Sequence, residues 1–174
     1  MNEAIEITPE QVDRTYAVVD RNAERGGYHL NPNVAFTKDL IRGILVNGRR
    51  YGYWACPCRL ADGERRADLD IICPCVYRDA DVLEYGACYC ALYVSKKVLD
   101  GKRIVESIPE RRPPEDVRKA LAERPIPTMA GISHPVWRCS VCGYLCSRDD
   151  PPEICPICRV DSDRFELFIA KEEP

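Results

Sequence analysis

The chain has 174 residues, 45% hydrophobic and 30% charged, with a formal net charge of −3. That size and mix suit one or two globular domains and exclude a disordered chain. A mildly acidic balance argues against a nucleic-acid surface, no apolar run approaches the ~18 residues of a membrane span, and no basic-then-apolar leader opens the chain. A cytoplasmic protein with neither nucleic acid nor membrane as partner is expected.

Residues 8 to about 25 are predicted to form a helix. Thr8 suits the N-cap, Pro9 the first helical position, and Gln11 completes a capping box. Val12, Tyr16, Val19 and Ala23 give this helix one apolar stripe, and Gly26-Gly27 stops it. Tyr28 to Pro32 is a connector, with Asn31 or Asn33 capping a second helix. Leu40, Ile41, Ile44 and Leu45 form that helix's buried face, and Asn47-Gly48 ends it. The aromatic run Tyr51-Gly52-Tyr53-Trp54 packs as core and leads into the first cysteines.

Six of the 11 cysteines fall in three Cys-x-Cys pairs: Cys56-Pro57-Cys58, Cys73-Pro74-Cys75 and Cys88-Tyr89-Cys90. An iron–sulfur cube or a tetrahedral metal takes four thiolates. Two thiols are left over, which is what a redox-active disulfide beside a metal group needs; spacing alone does not say which two. Each proline lacks an amide hydrogen and fixes φ, so the backbone there is not helical and neighbouring sulfurs can point in different directions. Structural disulfides suit small secreted chains, and the clustering here favours metal ligation instead. Arg59 to Ile72, with Arg65, Arg66, Asp68 and Asp70, is expected to be a solvated loop or short helix. A cation directly after Cys58 favours a thiolate, with chance adjacency in a charged loop as the other reading. A short helix follows over Asp79–Tyr85, closed by Gly86, then a short strand or buried coil at Ala91–Val94. Another helix spans Glu115–Glu123, with Val117, Ala120 and Leu121 inward.

The three pairs, together with Gly26-Gly27-Tyr28, Leu30-Asn31-Pro32, Asn47, Tyr51-Gly52 and Arg59, resemble the catalytic subunit of ferredoxin:thioredoxin reductase, called ferredoxin:disulfide reductase in its archaeal forms. The resemblance covers roughly residues 5 to 105. It implies that Cys56, Cys73, Cys75 and Cys88 hold a [4Fe–4S] cluster and that Cys58 and Cys90 form the active-site disulfide. The cysteine matching Cys58 would attack the substrate, while the one matching Cys90 stays by the cluster. The separations between the pairs differ from the family's usual ones, and Tyr89 stands where the family's third pair carries histidine. His29 reads as a surface or capping histidine; the alternative is a proton donor near the disulfide, a role for which it is the first candidate beside water.

Pro125 to Pro135, with three prolines and a glycine, is expected to be a linker. Beyond it lie Cys139-Ser140-Val141-Cys142 and Cys155-Pro156-Ile157-Cys158. Two Cys-x-x-Cys pairs at this separation signal a tetrahedral four-sulfur site. Gly143 permits the tight turn that aims backbone amides at sulfur. This block resembles a rubredoxin domain of the short, rubrerythrin-tail type over roughly residues 134 to 170. The resemblance implies one iron, with zinc as the alternative, and Phe165, Leu167 and Phe168 completing a small core. Cys146 is the eleventh cysteine and is read as a buried spare thiol.

The expected fold class is α+β: a mainly helical [4Fe–4S] catalytic domain (1–124), a linker (125–134) and a small β rubredoxin-like knuckle domain (135–174). The function that the resemblances imply is a ferredoxin-dependent disulfide reductase. Electrons would pass singly through the cluster to the Cys58–Cys90 disulfide, which reduces thioredoxin-like or glutaredoxin-like proteins; the rubredoxin domain would relay electrons. The alternatives are a non-catalytic carrier with two iron sites and a zinc-stabilised interaction protein.

Overall fold

A computed structural model describes residues 5–172. The chain divides after Arg112 into two compact units, the first mainly helical and the second rich in strand, an α+β layout. No helix among the described residues is long and apolar enough to cross a membrane.

The first unit is built on two helices. Helix α1 (Pro9–Arg25) starts at a full capping box, with Thr8 and Gln11 exchanging side-chain and backbone hydrogen bonds, and buries Val12, Val19 and Ala23. Helix α2 (Val34–Tyr51) is capped by Asn33, whose side chain accepts from the Phe36 amide, and buries Thr37, Ile41 and Ile44. Leu40 and Leu45 pack half-buried against the same core. The helix does not stop at Asn47-Gly48. It runs on to Tyr51 and closes at Gly52, whose φ of 81° fits the left-handed cap. Gly48 serves close packing instead: a Cβ there would lie 2.8 Å from Trp54 Cδ1.

Between and after these helices, β1 (His29–Leu30) pairs antiparallel with β2 (Tyr93–Val94). Helix α3 (Arg78–Tyr85) closes at Gly86, and α4 (Lys96–Leu99) is a single turn capped by Ser95. Residues 59–72 are turns, but not a solvated loop. Asp68, Ile71 and Ile72 are at most 1% exposed. The reason is partnership: the Asp68 carboxylate accepts from the Tyr53 hydroxyl (2.6 Å), the amides of Asp62 and Gly63 (both 2.9 Å) and Arg112 Nη2 (2.7 Å). A buried carboxylate survives only when bonded in this way.

In the second unit, the sheet order is β3-β6-β4-β5, from β3 (Thr128–Met129), β4 (Val136–Cys139), β5 (Leu145–Ser147) and β6 (Phe165–Lys171). Strand β3 lies within the stretch expected as a linker and pairs in parallel with the end of β6. Prolines flank it without harm because it is an edge strand, and the Pro127 carbonyl accepts from the Ala170 amide (2.8 Å). Helix α5 (Glu115–Ala122) belongs to this unit rather than to the first. Val117, Ala120 and Leu121, expected inward, are exposed. Local terms hold this helix, among them the Glu115–Lys119 ion pair at i,i+4. Of the three residues expected to complete the core, Phe165 is buried, while Leu167 and Phe168 are half-buried. Trp137, Val141, Tyr144 and Cys146 pack against the cluster that Phe165 forms with Cys139 and Cys155, and Phe168 lies under the Arg138 guanidinium instead.

Candidate functional site

The three Cys-x-Cys pairs are brought together by short backbone links. Ala55 and Ile72 form an antiparallel bridge. The Cys56 amide donates to the Ile71 carbonyl (2.8 Å) and the Cys73 amide to the Trp54 carbonyl (2.7 Å), so the first two pairs start side by side. The third pair sits in a tight turn: the Cys88 amide donates to the Tyr93 carbonyl (2.9 Å) and the Ala91 amide to the Cys88 carbonyl (2.6 Å). Ala91 has φ 55°, a strained value for a residue with a Cβ. The Asn31 side chain holds that turn by donating to the Ala91 carbonyl (3.1 Å). Asn47 does the same for the first pair, donating to the Ala55 carbonyl (3.0 Å). Gly43 of α2 lets Pro57 seat on the helix, since a Cβ there would lie 2.8 Å from Pro57 Cβ.

The six thiols differ in exposure. Cys58 is exposed, Cys73 is half-buried, and Cys56, Cys75, Cys88 and Cys90 are buried. The Cys88 and Cys90 sulfurs lie 3.7 Å apart. Cys58 is in thiol contact with both Cys56 and Cys90, and these hydrogen bonds, with help from Arg59, hold Cys58 down to about 3 against burial. Cys90 is pushed well up by donating to Cys56, Cys58 and Cys88. Cys88 is lowered, first by Cys90 and also by the Tyr93 amide, which donates to its sulfur at 3.3 Å. Burial and then the Cys88 sulfur push Cys75 up to about 12, opposed by Arg59.

Arg59 is the cation of this site, and its main sulfur partner is Cys75 rather than the adjacent Cys58. Its side chain is 1% exposed. Nη1 donates to Cys75 Sγ (3.4 Å), and Nε lies 2.9 and 3.0 Å from the two Glu110 oxygens. The guanidinium carbon lies over the rings of Tyr89 (4.3 Å to the centroid) and Tyr77 (4.9 Å). Nη2 has no hydrogen-bond partner and lies 4.0 Å from Asp81 Oδ2, itself unpartnered. A buried guanidinium donating to a buried cysteine sulfur fits an anionic metal–sulfur group, because a ligand thiolate helps to compensate its charge where a neutral thiol would not.

The strap Glu110-Arg111-Arg112 lies over this site and was not apparent in the sequence. Glu110 binds Arg59. Arg111 Nε binds Asp81 (2.6 Å), and its Nη2 binds Glu84. Arg112 binds Asp68 and Asp70, and Asp70 also accepts from the Tyr77 hydroxyl (2.7 Å). His29, by contrast, is held at Glu24: its Nδ1 lies 2.7 Å from the carboxylate, and none of its described contacts is to a cysteine. Tyr89 is placed at the site, as a ring against Arg59.

The second candidate site is a four-sulfur knuckle pair. The sulfurs of Cys139, Cys142, Cys155 and Cys158 all lie within 4.8 Å of one another. Cys139–Cys158 and Cys142–Cys155 are each 3.6 Å apart, close to the ~3.8 Å edge of a tetrahedron with ~2.3 Å metal–sulfur bonds. Backbone amides point at the sulfurs, as those of Val141 and Cys142 do at Cys139 and those of Ile157 and Cys158 at Cys155. The turns that allow this use left-handed residues, Gly143 (φ 78°) and Arg159 (φ 63°). Such a set fits one iron or zinc. Cys146 stands outside it, half-buried on β5 opposite Trp137.

The family described as ferredoxin thioredoxin reductase catalytic beta chain matches residues 6–111. The family described as rubrerythrin, rubredoxin-like domain matches residues 137–166. Among curated proteins no match was found.

Proposed function

Because the chain belongs to the family of the ferredoxin thioredoxin reductase catalytic beta chain, we propose that it is a ferredoxin-dependent disulfide reductase. Cys56, Cys73, Cys75 and Cys88 hold a [4Fe–4S] cluster, and Cys58 and Cys90 form the redox-active pair. The observation that carries this reading is the contrast within one group of touching thiols: Cys58 alone of the six is exposed, and Cys90, its contact, is buried. When bound, the cluster supplies electrons one at a time to a reaction that needs two.

The protein's own residues then carry the exchange. The Cys58 thiolate attacks one sulfur of a substrate disulfide, forming a mixed disulfide and releasing the other substrate sulfur as a thiolate. Cys90 attacks the Cys58 sulfur, the second substrate sulfur leaves, and the Cys58–Cys90 bond closes. Two electrons from the donor and two protons reopen that bond. Thioredoxin-like or glutaredoxin-like proteins are the substrate class. The second unit holds a single iron at Cys139, Cys142, Cys155 and Cys158. That site has no open coordination position, so it suits electron relay rather than bond chemistry, with zinc as the metal that would remove the relay.

Anaerobic purification followed by iron, zinc and sulfide analysis tests both sites. About five irons and four sulfides per chain are expected. Cys58→Ser should abolish reduction of a protein disulfide and keep the cluster, whereas Cys56→Ser, Cys73→Ser, Cys75→Ser and Cys88→Ser should each damage the cluster. Loss of the cluster in Cys58→Ser with retention in Cys56→Ser would reverse the assigned roles.

A further inference from the structure

We propose that Arg59 is a positioning residue that tunes the electron affinity of the cluster through Cys75, with Glu110 as the counter-charge that sets how strongly it does so. This deepens the reading above and rests on it.

The geometry supports a direct electrostatic role. Arg59 Nη1 donates to Cys75 Sγ at 3.4 Å, and Cys75 is buried. A charge-assisted hydrogen bond to a ligand sulfur draws electron density from it and favours the state carrying one more electron. The guanidinium is 1% exposed, so water screens it little and its field at the sulfur is larger than a surface cation's. An arginine this deep has several ways to be satisfied elsewhere, yet Nη2 is left without a hydrogen bond, 4.0 Å from Asp81 Oδ2. Its orientation is instead fixed by cation–π contacts with the rings of Tyr77 and Tyr89 and by both Glu110 oxygens on Nε. Those four holds make the Cys75 contact a rigid one. Glu110 is 38% exposed at its side chain, so it is the partly solvated member and offsets part of the guanidinium charge.

The sign of each change follows. Removing the Arg59 charge takes a cation from the sulfur and makes the cluster harder to reduce. Removing the Glu110 charge leaves Arg59 held by the two rings and by Cys75, less its nearest anion, and makes the cluster easier to reduce. A residue that merely props up the fold would give no such pair of opposite shifts.

The experiment is a spectroscopic redox titration of the cluster in the full chain, purified anaerobically, as wild type, Arg59→Gln, Arg59→Lys and Glu110→Gln. Arg59→Gln should shift the reduction equilibrium toward the oxidised form by tenfold or more, which for one electron is about 59 mV. Arg59→Lys should shift it the same way but less, since it keeps the charge and loses the fork. Glu110→Gln should shift it toward the reduced form by at least threefold. An unmoved equilibrium in Arg59→Gln with the cluster retained, or a Glu110→Gln shift toward the oxidised form, overturns the inference while leaving the reductase reading intact. If Arg59→Gln does not hold the cluster, the direction of the Glu110→Gln shift decides the matter. A wild-type chain with no iron–sulfur cluster overturns the reading and the inference together.

Discussion

Two glycines of α2 allow a sharp comparison, because each closes on an aromatic or proline ring that leads into the thiol site. Alanine at a helix interior is favoured over glycine by about 1 kcal/mol. At Gly43 the new Cβ would lie 2.8 Å from Pro57 Cβ, where carbon pairs prefer roughly 3.5–4.0 Å. Pro57 is a rigid ring between Cys56 and Cys58, so relief requires the whole loop to back off α2 by about 1 Å. Overpacking of this kind costs about 1–3 kcal/mol, which outweighs the propensity gain and leaves Gly43→Ala destabilised by about 1 kcal/mol. At Gly48 the new Cβ would meet Trp54 Cδ1, also at 2.8 Å. Trp54 is 38% exposed, so its side chain can turn outward, and Gly48→Ala should be neutral or stabilised by up to ~1 kcal/mol. The gap between the variants is then about 1–2 kcal/mol, or roughly 5–15 °C in a unit of this size. Thermal unfolding followed by far-UV circular dichroism, on anaerobic cluster-loaded protein, measures it. Disulfide reduction should also slow in Gly43→Ala, because Cys58 moves with Pro57, and not in Gly48→Ala. Equal stability of the two variants, or a more stable Gly43→Ala, would refute the claim that the loop is seated rigidly on the helix.

Asp68→Ala should cost about 3–5 kcal/mol by leaving Arg112 and the Tyr53 hydroxyl facing a buried gap; a loss below ~1 kcal/mol in urea unfolding would show the network to be dispensable. Arg159→Gly should stabilise the second metal site by about 1 kcal/mol, because Arg159 sits at φ 63° where glycine is unstrained. Metal release to a chelator should be slower, and equal or faster release would contradict it. In the dithiol state, alkylation of Cys58 should change less than about twofold from pH 8 to pH 6. Its thiolate persists well below the ordinary thiol range, whereas an unperturbed cysteine would lose thiolate by about tenfold for each pH unit below its own pKa. A steep fall, followed by mass spectrometry of the Cys58 peptide, would mean that Cys56 and Cys90 do not hold it ionised.

Local signals were legible in the sequence because their causes are local. Thr8, Pro9 and Gln11 make their capping box whatever lies elsewhere in the chain. The same holds for the knuckle turns, where the Cys-x-x-Cys spacing and Gly143 are enough to bring four sulfurs within bonding range of one metal. The roles of Asn31 and Asn47 were not legible, since each spends its side-chain amide on a carbonyl outside its own element, Asn31 on Ala91 sixty residues on and Asn47 on Ala55 eight residues on. Residues 59–72 misled for the same reason. Composition describes Asp68 as a surface carboxylate, and Arg112 and Tyr53, remote in sequence, join the amides of Asp62 and Gly63 in making it a core residue. A faint signal was present: Asp68 lies three and four residues before Ile71 and Ile72, which are both buried. His29, read first as a surface or capping histidine, is held by Glu24 five residues before it, and nothing local in the sequence would have excluded the alternative of a histidine aimed at a thiol.

The charged strap also decides where this chain can be cut. Its last helix in the first unit ends at Leu99, and a boundary drawn by secondary structure would fall just after Gly101. Such a fragment would keep every cysteine of the first site, yet Asp68 would lose Arg112 and Asp81 would lose Arg111. Asp68 would retain the Tyr53 hydroxyl and two amides, but Asp81 would be left with Arg59 at 4.0 Å. An unpaired buried carboxylate costs about 3–5 kcal/mol, a large part of the ~5–15 kcal/mol that holds a whole domain folded. A gene fragment or domain graft that ends at Arg112 keeps all three strap residues, and one that ends ten residues earlier has none of them.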